Sequence, residues 1–130
     1  MCEMAVLKTN TGTQIHVADI KKTIIERIIL IASVCKEIDY IILFGSSLEN
    51  KCTERSDIDI AIISNTSRSK FLRSKSYSRF TTALYNIDEE QCYDILQFNS
   101  MEDLKKKSSP VCRDIVNKGK IIYRRVSVRV

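Results

Sequence analysis

Five consecutive apolar residues, Tyr40, Ile41, Ile42, Leu43 and Phe44, stop at Gly45. A run this short, without polar alternation, reads as a strand buried on both faces, and a glycine directly behind it permits a tight turn. Strand character returns from Asp57 to Ile63, where Ile58, Ile60 and Ile62 alternate against Asp57 and Asp59. Side chains on a strand alternate with a period of two, so the two carboxylates share a face. Two neighbouring strands joined by a polar loop are therefore the kernel of any fold this chain adopts.

Around that kernel the pattern is helical. From Asp19, a plausible N-cap, apolar residues recur at Ile20, Ile24, Ile28, Ile31, Cys35 and Ile38, close to helical spacing. Ser67 to Tyr85 reads as a second helix and Cys92 to Phe98 as a third strand holding Asp94. Ser100 is placed to cap a helix at Met101, and Ser109 followed by Pro110 marks another helix start, with Gly119 as its stop. Ile121, Ile122 and Tyr123 suit a final short strand. This order predicts an α+β domain: a small mixed β-sheet flanked by helices that cover it on one side. Residues 1–130 are expected to form one domain, with residues 1–17 an N-terminal extension of uncertain structure and a short strand near Val6.

The chain has 130 residues, 44% of them apolar and only one proline, enough to bury a core without staples. Its formal charge of +5 favours anionic ligands. The excess gathers between Arg68 and Arg79, at Lys105 to Lys107, and near the C-terminus at Lys118, Lys120, Arg124, Arg125 and Arg129. These basic residues are not interleaved with aromatic stacking groups, which argues against nucleic-acid binding. Five cysteines, odd in number and never in a C-x-x-C pair, fit reduced thiols rather than a disulfide frame or zinc knuckle. No secretory pattern opens the chain, and the apolar stretch Ile24 to Ile31 is interrupted by Glu26 and Arg27. The expected setting is the cytoplasm, away from membranes.

The chemistry concentrates in one segment. Asp57 and Asp59 offer hard oxygen ligands to Mg²⁺, an ion that takes few protein ligands and completes its shell with phosphate oxygens. Gly45, Ser46 and Ser47 present backbone amides and hydroxyls suited to a phosphate cradle. Ten residues separate Ser46 from Asp57, enough for a helical turn and a return to the adjacent strand. Cradle and carboxylates are thus expected at one end of the sheet. His16, the single histidine, reads as a surface residue, and nothing beside Cys52 marks an activated thiol.

With Gly45, Ser46, ten residues, then Asp57, Ile58 and Asp59, the chain resembles the minimal nucleotidyltransferase (MNT) family of the DNA polymerase beta superfamily. The similarity spans residues 20–124 and implies a polymerase beta-like fold. It implies an adenylyltransferase that uses Mg²⁺ and ATP. Asp57, Asp59 and a third carboxylate, for which Asp94 matches, would be the catalytic and metal-binding groups, and Gly45 and Ser46 would hold the β and γ phosphates. An acceptor hydroxyl would attack the α-phosphorus in line, with pyrophosphate leaving. The chain departs from the family pattern at Ser47, Glu49 and Asn50, where a basic residue and an Arg-Gly pair are usual. Neutralising the triphosphate would then fall to Mg²⁺ and to Arg55 or the Arg68 to Arg79 segment.

Related antibiotic adenylyltransferases and polymerases add a substrate domain, for which this length leaves no room. Stand-alone MNT domains act as antitoxins that adenylylate a tyrosine of a HEPN ribonuclease toxin, so the resemblance implies a HEPN-type toxin partner. A small-molecule adenylyltransferase whose acceptor pocket forms in a homo-oligomer, and a non-catalytic nucleotide-binding or steric antitoxin, are the alternatives.

Overall fold

A computed structural model describes residues 2–126; Arg129 of the basic C-terminal group lies outside the described residues. Strands β1 (Met4–Lys8) and β2 (Gln14–Ala18) form an antiparallel hairpin, followed by helix α1 (Asp19–Ala32). Then come β3 (Ile38–Phe44), a single 3₁₀ turn (Gly45–Leu48), β4 (Ile58–Ser64), α2 (Arg68–Leu72) and α3 (Lys75–Ile87). The chain continues through β5 (Tyr93–Phe98), α4 (Met101–Lys106), α5 (Pro110–Lys118) and β6 (Lys120–Arg124). Four strands make a mixed sheet in the order β5-β4-β3-β6, with β4 and β5 parallel and the other pairs antiparallel. Among the described residues no helix is long and apolar enough to cross a membrane.

The α+β architecture follows the expected order of elements, with helices on both faces of the sheet rather than one. Ile41, Leu43, Ile58, Ile60 and Ile62 pack with α1 and α3 residues such as Ile28, Phe80 and Leu84. Ile42, Phe44, Ala61 and Ile63 pack instead with Leu104 of α4 and Cys112 and Ile115 of α5. The unbroken apolar run in β3 requires this, because each successive side chain faces the opposite layer.

Four boundaries differ from the sequence pattern, one being that α1 ends at Ala32 and Ile38, read as part of its stripe, opens β3. Residues 4–18, assigned no more than a short strand, form a full hairpin around a turn with Gly12 at φ +89°. In α1 the cap position belongs to Ala18, and Asp19 is the first helical residue, where its charge complements the helix dipole. The buried stripe of α1 is Lys21, Ile25, Ile28, Ile29 and Ala32, while Ile20 is exposed. Isoleucines at adjacent positions left the periodicity ambiguous, and contact with the sheet and hairpin chose the face. The single helix expected over Ser67 to Tyr85 is two, because Ser74 leaves helical geometry and its hydroxyl accepts from the Tyr77 amide at 3.0 Å. The serine caps at Ser100 and Ser109 form as expected, accepting from Asp103 and Cys112 amides.

Candidate active site

The end of β3 and the start of β4 lie side by side: Phe44 pairs with Asp59, and Asp59 pairs across the parallel ladder with Asp94. In-register partners share a face, so Asp59 and Asp94 stand together on the α4/α5 side of the sheet. Asp57 precedes the first residue of β4 and is exposed, as is Asp94, while Asp59 is half-buried. Burial, then the negative charges of Asp94 and Asp57, push the Asp59 carboxyl up to about 6. Like charges on neighbouring carboxyls raise the pKa of the most enclosed member.

Gly45 turns the chain immediately beside this group. Its φ of +76° is the left-handed region that glycine adopts without strain. A Cβ built on it would overlap Oδ2 of Asp59. The bend and the carboxylate therefore touch through the space that a side chain would fill. Gly45 and Ser46 remain partly open, whereas Ser47 is fully buried and its hydroxyl has no hydrogen-bond partner. The expected phosphate contact of the Ser47 side chain is thus closed off beneath the turn, and Ser46 carries the accessible hydroxyl.

A knot in the loop delivers Asp57. The Thr53 amide donates to Ser56 Oγ at 2.9 Å, the Ser56 amide donates to the Thr53 carbonyl at 3.0 Å, and the Ile58 amide donates to the Cys92 carbonyl at 3.1 Å. The start of β4 is thereby fastened to the start of β5, which carries Asp94 two residues on.

Carboxyl oxygens are hard donors of the kind a divalent cation takes, and a cation beside Asp59 would relieve the negative charge of Asp94 and Asp57 upon it. Among the described residues no group of three or more His, Cys, Asp or Glu side chains is placed to hold a metal ion by itself. Such a carboxylate edge offers part of a shell and leaves positions for phosphate oxygens, as Mg²⁺ sites with nucleotides do.

Arg55 is exposed in the loop two residues before Asp57, whereas the Arg68 to Arg79 segment is placed elsewhere. Arg68 lines a cleft with Gln97, Phe98 and Asn99, at the opposite end of β5 from Asp94, and Arg79 lies beside Leu30 and Val34 of the α1 end. Neither cleft is lined by Asp57, Asp59 or Asp94. A cleft of about 410 Å³ that Gly45 helps to line is bounded by His16, Glu49, Asp114, Lys118 and Lys120. Lys118 also pairs with Asp114 at 3.8 Å. Lysines flanking Gly119 were visible in the sequence only as part of a basic C-terminus. β6 brings them to Gly45 because Lys120 pairs with Leu43, two residues before the bend. His16 is exposed, as expected of a surface residue, and the hairpin sets it in that cleft.

Over residues 26–127 the chain matches the family model described as Polymerase beta, Nucleotidyltransferase. No curated protein matches it.

Proposed function

The chain belongs to the polymerase beta nucleotidyltransferase family, and from that premise we propose that it transfers AMP from ATP, with Mg²⁺, to a tyrosine hydroxyl of a HEPN-type toxin protein. The observation that carries the reading is the contact of Asp59 with the Gly45 bend, with Asp94 beside Asp59 in register. Metal ligands and phosphate cradle then serve one triphosphate.

In this reading Asp57 and Asp59 would hold the metal ions, and Asp94 would complete the site of the second ion and accept the proton of the acceptor hydroxyl. Mg²⁺ bound there would supply charge neutralisation of the triphosphate and a lowered pKa for the attacking hydroxyl. The Gly45 and Ser46 backbone cradles the β and γ phosphates, and Lys118 and Lys120 replace the basic residues that the motif lacks after Ser46. The acceptor oxygen forms a bond to the α-phosphorus as the bond to the bridging oxygen of pyrophosphate breaks. The HEPN-type acceptor rests on the resemblance to stand-alone MNT domains, which act on such toxins.

Incubating the purified chain with α-labelled ATP, Mg²⁺ and a HEPN-type toxin tests the proposal. Label is expected on a toxin tyrosine, and none with Asp57→Ala/Asp59→Ala. Label on a small hydroxyl compound instead would reassign the acceptor; ATP binding without any transfer would overturn the enzymatic reading.

A further inference from the structure

Lys21 is among the largest fully buried side chains of the described residues, 2% exposed. No carboxylate pairs with it among the described ion pairs. A buried ammonium without a counter-ion is costly, and an apolar residue on that face of α1 would serve packing better. Its partners show what it does instead. Nζ donates to the Glu54 carbonyl at 3.0 Å and to Gln91 Oε1 at 2.6 Å. Gln91, itself 6% exposed, turns its amide nitrogen to the Ser56 carbonyl at 3.1 Å and the Cys92 carbonyl at 2.7 Å.

Every acceptor in this chain of bonds beyond Gln91 is a main-chain carbonyl around the candidate site. Glu54 and Ser56 lie three residues and one residue before Asp57, and Cys92 lies two before Asp94. From this geometry we infer that Lys21 and Gln91 are positioning residues: one buried relay from α1 sets the backbone that presents Asp57 and couples it to the strand that presents Asp94. Hydrogen bonds from a charged donor in a low-dielectric setting are short and directional, which suits a loop that must hold a carboxylate against a cation. The inference rests on the reading of Asp57 as a metal ligand for its functional consequence, and on the hydrogen bonds alone for the pinning itself.

Two replacements separate the links. Lys21→Met keeps the volume and removes both donations; Gln91→Glu keeps an acceptor for Lys21 and removes both donations to the loop and β5. Amide hydrogen exchange is read on residues 49–57 and compared with β3 and β4. Both variants should lose protection in 49–57 by at least about tenfold while the sheet keeps its own. Each should also raise the Mg²⁺ concentration giving half-maximal transfer by about tenfold, with kcat largely restored at saturating Mg²⁺. Unchanged exchange in the loop would overturn the inference, and so would an equal rise across the whole sheet, which marks a residue that only holds the core. If Lys21→Met does not fold, Gln91→Glu alone decides; failure of both to fold also overturns it. A wild-type chain with no transferase activity would sink the proposed function, while the exchange rates of the two variants would still decide whether the relay pins the loop.

Discussion

The Asp59 carboxylate occupies the space where a side chain on Gly45 would begin, so the bend after β3 and the first turn of β4 are complementary surfaces. Position 45 must lack a side chain for the carboxyl of position 59 to sit against the bend. Replacing Gly45 by alanine adds a Cβ onto Oδ2 and forces a non-glycine residue to φ +76°. A loss of about 2–4 kcal/mol in denaturant-derived stability is expected, with transfer abolished. Gly12→Ala is the control, since φ is also positive there but nothing lies within 4 Å of the added atom; its cost should stay near about 1 kcal/mol.

Asp59 should trade stability for function. The fold raises its carboxyl from 3.8 to about 6, so between those values the folded protein binds more protons than the unfolded chain. Stability from this group is therefore present at low pH and is lost as pH rises towards 6. A shift of that size corresponds to roughly 3 kcal/mol, cut to about 1–2 kcal/mol by partial solvent access. In metal-free protein at neutral pH, Asp59→Asn should raise Tm by a few degrees, flatten the pH dependence between 4 and 6, and remove transfer. Adding Mg²⁺ and ATP should stabilise the wild type and not the variant; equal ligand-induced shifts in both would remove Asp59 from the metal site.

Ser46 and Ser47 are neighbours with opposite surroundings. Ser47 is fully buried with an unpartnered hydroxyl, so Ser47→Ala should change stability by no more than about 1 kcal/mol and leave KM for ATP alone. Ser46→Ala removes an accessible hydroxyl and should raise that KM several-fold without lowering Tm. Steady-state kinetics on the two variants separates them, and the reverse ranking would move the phosphate contact to Ser47.

The cleft beside Gly45 makes a claim about charge. Lys118 and Lys120 are exposed, so changing both to glutamine should leave folding intact. It should raise KM for ATP by about tenfold and weaken the salt dependence of KM. The same exchange at Arg68 and Arg73, near the far end of the sheet, should do neither. A larger effect from the arginine pair would return triphosphate neutralisation to that segment.

Much of the site was legible before the fold was known because its signals are local. The glycine at 45 announces a bend wherever β3 ends, and the period of two fixes the face of Asp59, whereas Asp57 lies just before β4 and is placed by the loop. Serine caps at Ser100 and Ser109 are also local, each bonding an amide three residues on. The α+β class followed from the order of such elements. The break at Ser74 carried the same kind of signal, but it was hidden within a longer helical pattern.

What the linear order of residues determined, then, was the helix or strand character of the segments from residue 19 to residue 123 and the spacing of the Gly-Ser and Asp-x-Asp groups, since neighbours along the backbone settle both. Three-dimensional packing alone decided the rest: helices on both sheet faces, the hairpin over residues 4–18, lysines 118 and 120 at the bend, and the bonding of Lys21 to Gln91 across 70 positions. Partners so far apart come together only once the strands have paired, and no periodicity along the chain encodes which buried groups will then meet.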